Sequence, residues 1–485
     1  MRRTQSASKE LKEDHFFTAT LGMDVGKLCD VPCKIYLPKR IHERPRVELR
    51  PSLDQEKILA NFHSVSLSAN VFFSTGRPAG SIDSSEVYLD NHQTRYWGPD
   101  LSETTIEGEP QHLHIVKPMS EGESIKTHIQ FWLSPNSFLT PPSIQTNSYT
   151  GDVSIKPVGP PLCFQITETF SICLNKHYRN ETTKDGETLR WSHLAAYADV
   201  ETAASDLSAI RDQYLQPLDD FLLLASFALK FRTTCLGWDA ADASRLATYY
   251  RGHFSFPDIG RQSNPRDTIV KHSQSEEFIR HSWSIFSAYE DKDILRTAIH
   301  CAIPDHSLTI EAGFLRMFAG LETLVLDLRR QESKEYVLPP DSWGKLKKYL
   351  RKSIKSCVEP MLEKEQRNSI YEKLEELNRV SLKEAFHAFR EKQSIYLGDL
   401  WPVFGNSEGV GLADIRNQLI HGVPLADRNI EAISIAKEHL RLTLERSLVR
   451  VLGWDIGKTN VSPERIEIEY VAVAKLSWAR GSLTK

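Results

Sequence analysis

The chain has 485 residues, 40% hydrophobic and 26% charged, a balance that suits a globular protein of about two to four domains. A formal net charge of −4 excludes a broadly basic nucleic-acid coat, so any polyanion site must be a local patch. The most apolar run, Phe221 to Phe231, has about half the length a bilayer crossing needs, so no membrane span is expected.

The first residues, "MRRTQSASKELKEDHFF", are basic but lack the apolar core of a secretory signal, and 1–12 is expected to be a flexible N-terminus. From 13 to 260 the pattern is that of strands. "CKIYL", "RVELR", "SVSLSANVFF", "HIQFWL" and "CFQITETFSICL" alternate between turn residues, as in an antiparallel sandwich or barrel-like sheet. A helical spacing over "ASDLSAIRDQYLQPLDDFLLLASFALKF" is expected to break near Pro217, before the extended "TTCLGWDA" and "RLATYYRGHFSF" close the β-rich domain. Residues 261–274 follow as a linker, after the Gly- and Pro-rich "PDIGRQSNPRDT" begins.

Residues 275–455 read as a helical domain. In one helix Leu315, Ala319, Glu322 and Leu326 share a stripe; in the next, Trp343, Leu346, Leu350, Ile354 and Cys357 do. The last long helix carries Ile433, Ala436, Leu440, Leu444, Leu448 and Val451 on one side. Antiparallel helices of this length make a bundle. Residues 456–485, with "ERIEIEYVAVAKLSW", alternate again and predict a terminal strand. The fold class is therefore α+β: an antiparallel β-rich domain, then an all-α bundle.

The seven cysteines, Cys29, Cys33, Cys163, Cys173, Cys235, Cys301 and Cys357, are odd in number and thinly spread. "CDVPC" is one residue too long for a CxxC knuckle, so all are expected to be free thiols in a reducing cytoplasm. His112 and His114 in "QHLHIV" face one side of a strand, but no third metal ligand is near in sequence. GxxxxGK[ST], HExxH and strand-linked GxGxxG are all missing, which removes support for nucleotide hydrolysis, zinc proteolysis and dinucleotide redox chemistry.

The stretch "DIRNQLIHGVP", Asp414 to Pro424, carries the chemistry. Leu412, Ile415 and Leu419 set the core face of a helix starting near Gly411. Gly422 suits the residue just past its end, and Pro424 blocks continuation. At about 100° per residue, Asn417 lies within about 40° of His421, and Arg416 about 140° away. The carbonyls of the last turn favour a cation at His421. A fixed guanidinium and a titratable imidazole suit RNA cleavage: the imidazole moves protons, and the guanidinium meets the charge growing on phosphorus. The chemistry needs no metal ion or other cofactor. One Arg and one His make a sparse site, which two copies about a two-fold axis would double. Roughly one Arg-x4-His match per chain is expected by chance, so the spacing alone decides nothing. The Asn and the helix-end placement add to it.

"RNQLIH" resembles the motif of the HEPN domains: Arg, a polar residue, three variable residues, His. An earlier "LE" pair, in "FAGLETLVL", is also similar, and a β-rich domain ahead of such a bundle resembles the ApeA-type antiphage proteins. The resemblance implies a metal-independent endoribonuclease, dimeric or a larger homo-oligomer, acting on RNA (tRNA is one candidate) as an abortive-infection effector. A phage-derived trigger would bind the β-rich domain. Carried over by position, Arg416 and His421 are the catalytic pair, with Asn417 in support. The alternative is a non-catalytic HEPN-like module for RNA or nucleotide binding or for dimerisation. Glu322, on its otherwise apolar stripe, is expected to orient Arg416 or contact the motif helix, the other reading being a stripe-edge residue that reaches solvent. "KLKKYLRKSIK" has no acidic residue, and its Lys345, Lys348, Arg351, Lys352 and Lys355 form the best candidate patch for an RNA backbone.

Overall fold

The computed structural model describes residues 17–24, 26–38, 44–72, 78–98, 101–119, 126–147, 153–182, 188–252, 268–332, 335–357, 363–407, 409–422, 429–469 and 474–483. The expected flexible N-terminus, the first half of the expected linker (261–267) and Pro424 fall outside them. The chain divides into two compact units, Met1–Gln262 and Ser263–Lys485.

The first unit is antiparallel β, as the alternation predicts. Its strands are β1 (Phe17–Met23), β2 (Gly26–Tyr36), β3 (Arg46–Leu49), β4 (Ser64–Phe72), β5 (Pro78–Gly98), β6 (Leu101–Pro110), β7 (His112–Pro118) and β8 (Thr127–Leu133). There follow β9 (Ser143–Asn147), β10 (Val153–Pro157), β11 (Leu162–Gln165), β12 (Ser171–Thr182), β13 (Thr188–Val200), β14 (Cys235–Ala241) and β15 (Arg245–Arg251). Thirteen of them form one sheet, ordered β11-β12-β13-β8-β14-β15-β7-β5-β4-β1-β2-β3-β6. A further β5–β6 pairing joins the far edge back to β5, so β1 to β6 close into a barrel while β7, β15, β14, β8, β13, β12 and β11 extend from it, in that order, as an open wing. Closure removes the sheet edge that β6 would otherwise offer to other chains.

The barrel core follows from period two. Ala19 and Leu21, Val31, Cys33 and Ile35, Val47 and Leu49, and Val65 and Leu67 point inward and are buried. Burial pushes the Cys33 thiol up, and the Glu48 carboxylate adds to the effect. The short α1 (Leu53–Leu59) inserts Leu59 into this core, and Glu56 accepts a hydrogen bond from Thr104 of β6 at 2.7 Å.

One face of the wing is covered by helix. After α2 (Leu207–Ile210), a π-helical turn over Arg211–Leu215 leads straight into α3 (Gln216–Leu229). The expected break at Pro217 does not occur, because Pro217 stands in the first turn of α3 and the π turn ahead of it resets the hydrogen-bond register. Phe221 of α3 packs on Phe164 of β11, ring centres 4.8 Å apart. Tyr249 stacks on Trp238 at 4.2 Å and on His112 at 5.8 Å, so the His112–His114 edge is built into aromatic packing. Among the described residues no three His, Cys, Asp or Glu side chains gather in a metal-binding arrangement.

The all-thiol expectation is corrected at one pair. Cys163 and Cys173 are joined as a disulfide. They stand directly opposite in the β11–β12 register, with Cα atoms 4.1 Å apart. Ten residues of sequence separation conceal a cross-strand contact that only the register creates. The other five cysteines form no disulfide.

The second unit is helical: α4 (Ser275–Ala288), α5 (Lys292–Ala302), α6 (Ile310–Gln331), α7 (Pro340–Lys355), α8 (Lys364–Leu377), α9 (Leu382–Lys392), α10 (Leu412–Ile420) and α11 (Ile430–Val451). Two shorter helices, α12 (Pro463–Glu469) and α13 (Leu476–Leu483), occupy the tail where a strand is expected from the sequence. The alternation of "ERIEIEY" is too brief to oppose a helix that starts at Pro463 and seals Ile466 from solvent. α6 packs against α5, α9, α10 and α11, and α13 lies on α11. α11 is buried on more than the expected stripe, down to Glu445, Arg446 and Ser447. Arg446 is fully buried; it meets Asp399 through two hydrogen bonds of 2.6 Å and donates to the carbonyls of Tyr396 and Val461. No helix among the described residues is long and apolar enough to cross a membrane.

Two outcomes follow. Asp399→Asn is expected to cost about 3 kcal/mol in chemical denaturation, because it leaves the guanidinium buried without its counter-charge; a loss below about 0.5 kcal/mol would mean that the two carbonyls suffice. Alkylation of the denatured, unreduced chain is expected to leave two of the seven cysteines unmodified, and prior reduction to expose both.

Candidate active site on helix α10

The start of α10 is tied down. The Asp414 carboxylate accepts from the Gly411 N–H at 2.8 Å, and the N–H groups of Leu412 and Ala413 donate to the carbonyls of Pro402 and Val403. Trp401 reaches across to the Val410 carbonyl at 2.9 Å. Leu412, Ala413 and Ile415 are buried against the bundle. The other end is open: Asn417, Gln418, Ile420 and His421 are exposed. His421 caps the helix with φ −78° and ψ 6°, its N–H on the Asn417 carbonyl. Gly422 then takes φ +65°, the left-handed conformation that glycine adopts without penalty. Both helix limits stand where the two glycines predict them.

Arg416 is the best-held residue of the motif. Its Nη2 meets Glu322 Oε2 of α6 at 3.4 Å, its Nη1 donates to Asn417 Oδ1 at 3.1 Å, and the guanidinium lies 5.8 Å from the centre of the Phe318 ring. Arg416 and Glu322 are each about one-third exposed, so the pair sits at a rim with water access. The Phe318 face and the carboxylate fix the direction of the guanidinium. Donors other than the two engaged remain for an anion, since guanidinium carries five.

Two expectations are adjusted. The core face of α6 is Phe314, Phe318, Leu321, Val325 and Leu328, whereas Ala319 is exposed and Leu315 and Leu326 are half-buried. Glu322 thus flanks the core, and it meets Arg416 from that flank. Asn417 turns to its neighbour Arg416; among the described residues the His421 ring has no hydrogen-bond partner. Arg416 and His421 do not bond to each other within the chain, in keeping with their separation on the helical wheel.

The basic helix α7 forms a second feature. Of its expected stripe only Trp343 is buried, and Leu346 is exposed. α7 and α8 pair with each other and bound a groove of about 760 Å³. Lys348, Arg351, Lys352 and Lys355 line it, as does Lys347, whereas Lys345 does not. Four residues of α8 that no sequence motif marks complete the groove: Asn368, Tyr371, Glu372 and Glu375. Glu375 is engaged by Lys347 and by Trp343 Nε1, the latter at 2.8 Å. No motif marks Phe318 either; its place one turn before Glu322 on α6 is the signal that could have found it.

Comparison with family models, with curated proteins and with solved structures gave no match.

Glu322→Gln and Arg416→Met, combined in a double-mutant cycle read by thermal denaturation, are expected to couple by about 0.5 kcal/mol, as partly exposed ion pairs do. Strictly additive effects would show that the contact does not hold the guanidinium.

Proposed function

We propose that the chain is a metal-independent endoribonuclease of HEPN type, with Arg416 and His421 as its catalytic pair. The observation that supports this reading is the state of Arg416: a guanidinium braced by Glu322, Asn417 and Phe318 at the open end of the helix that ends in His421. Its other support is the resemblance of "RNQLIH" to the HEPN motif.

In this mechanism a base takes the proton from a ribose 2′-OH. The O2′–P bond forms, the P–O5′ bond breaks, and an acid gives its proton to the leaving O5′. The products carry a 2′,3′-cyclic phosphate and a 5′-OH. His421 serves as base or acid, since an imidazole can do either. Arg416 faces the charge that accumulates on the phosphoryl oxygens in the transition state, where two parallel N–H donors match the geometry. Asn417 and Glu322 position the guanidinium. The two roles of acid and base call for two imidazoles, and a two-fold homodimer supplies the second. An antiphage role, with the β-rich unit sensing a phage-derived trigger, rests on the resemblance in domain order.

The alternative, a HEPN-like module that binds RNA or dimerises without cleaving it, draws support from the Glu322 carboxylate, which offsets part of the charge of Arg416. Purified protein with total RNA in EDTA separates the two. Wild type is expected to yield 2′,3′-cyclic phosphate ends, and Arg416→Ala and His421→Ala are each expected to lower the rate about 100-fold or more. Undiminished cleavage by either variant would sink the catalytic assignment; RNA binding without cleavage in all three would establish the alternative.

A further inference from the structure

The groove between α7 and α8 combines three features that a merely solvated basic face does not require. First, most of its positive charge is uncompensated. Among the described residues Lys348, Arg351, Lys352 and Lys355 make no ion pair, although Glu372 and Glu375 stand in the same lining. Lys348 and Lys352, and likewise Arg351 and Lys355, are four apart on one helix, where like charges repel. Second, the cations line one open groove of about 760 Å³ between two helices. Third, an aromatic ring is set among them. Tyr371 is half-buried in the wall, and Arg351 lies over its face at 5.5 Å. The Tyr371 hydroxyl donates to the Arg351 carbonyl at 3.3 Å, which fixes the ring to α7.

A row of cations beside a guanidinium–aromatic pair is the arrangement that holds unpaired nucleic acid: phosphates follow the charges, and a base stacks on the planar groups. A duplex keeps its bases stacked on one another and could use the charges alone. We infer that the α7–α8 groove takes a single-stranded stretch of RNA, with phosphates on Lys348, Lys352 and Lys355 and one base stacked at Arg351–Tyr371. This deepens the endoribonuclease reading and rests on it, giving the substrate class as unpaired RNA. Asn368, also in the lining, offers an amide to a base edge. Leu346 and Tyr349 are exposed on α7, as a helix lying on an anionic membrane would also require. The Tyr371 ring, set among the cations with Arg351 over its face, favours a strand over a membrane surface.

The test uses the full chain carrying His421→Ala, so that binding is measured apart from cleavage. Fluorescence anisotropy follows a labelled oligouridine, the same strand annealed to its complement, and phosphatidylserine vesicles, each over a salt series. The single strand is expected to bind more tightly than the duplex. Tyr371→Ala is expected to weaken it about tenfold, with Tyr371→Phe restoring affinity. Replacing Lys348, Lys352 and Lys355 by Gln is expected to flatten the slope of log K against log salt by about 2. Equal affinity for strand and duplex, affinity indifferent to Tyr371→Ala, or groove substitutions that abolish vesicle binding and spare RNA would each overturn the inference. Cleavage with KM unmoved by the groove variants would overturn it and leave the Arg416–His421 mechanism standing. Strand binding lost with Tyr371→Ala, in a chain that never cleaves, would uphold the groove and remove that mechanism.

Discussion

The placement of α6 at the centre of the helical unit is the constraint on which the candidate site depends. α6 touches α5, α9, α10 and α11, and it must therefore bury a wide apolar face. Phe314, Phe318, Leu321, Val325 and Leu328 make that face. It leaves Glu322 on the flank, where a carboxylate keeps part of its hydration and still reaches α10. A quarter-turn of α6 would either bury Glu322 without a partner or carry it away from Arg416. The Glu322–Arg416 contact is a rim pair and contributes little to stability, about 0.2–1 kcal/mol. Its consequence is directional: together with Phe318 it holds a long, flexible side chain in one orientation.

The β-rich unit is governed by register. Alternation fixes which residues of β1 to β4 face inward, and a shift by one residue would turn Val31, Cys33 and Ile35 outward together. The long β5 pairs with β4, β6 and β7, so a single strand both closes the barrel and starts the wing. The wing buries its other face under α3, whose Phe221 and Leu224 are wholly enclosed. The disulfide between Cys163 and Cys173 links β11, the outermost strand of the wing, to β12.

What the sequence made legible, it did so through local signals. Strand alternation announced an antiparallel β-rich half, and two glycines marked both ends of α10. Alternation allows a sandwich or a barrel-like sheet and does not choose between them, because the β3–β6 and β5–β6 pairings that close the barrel depend on strand order, which periodicity does not encode. The stripe on α6 was misplaced because apolar residues lie on both sides of it, and only the neighbouring helices select the buried side. In the tail a few alternating residues suggest a strand, but they are too few to distinguish the two periods. The groove was half legible. α7 announces its charge in "KLKKYLRKSIK", but Tyr371 and Asn368 come from a helix that sequence alone does not place beside it.

The five-residue spacing of Arg416 and His421 bears directly on the proposed chemistry. In an α-helix it separates the two side chains by about 140°. The cap at His421 departs from helical geometry only at its own residue, and the left-handed Gly422 comes after it. Neither feature swings Arg416 round, and Arg416 is drawn instead toward α6 by Glu322. One copy thus offers a guanidinium and an imidazole in diverging directions. Cleavage by 2′-OH attack needs them converging on one phosphate, with a second imidazole on the opposite side of the phosphorus. On the proposed reading, a two-fold axis meets both needs at once: each chain's Arg416 serves a phosphate shared with its partner, and the two imidazoles divide base from acid. The same spacing that defeats a one-chain site is what a two-chain site would use.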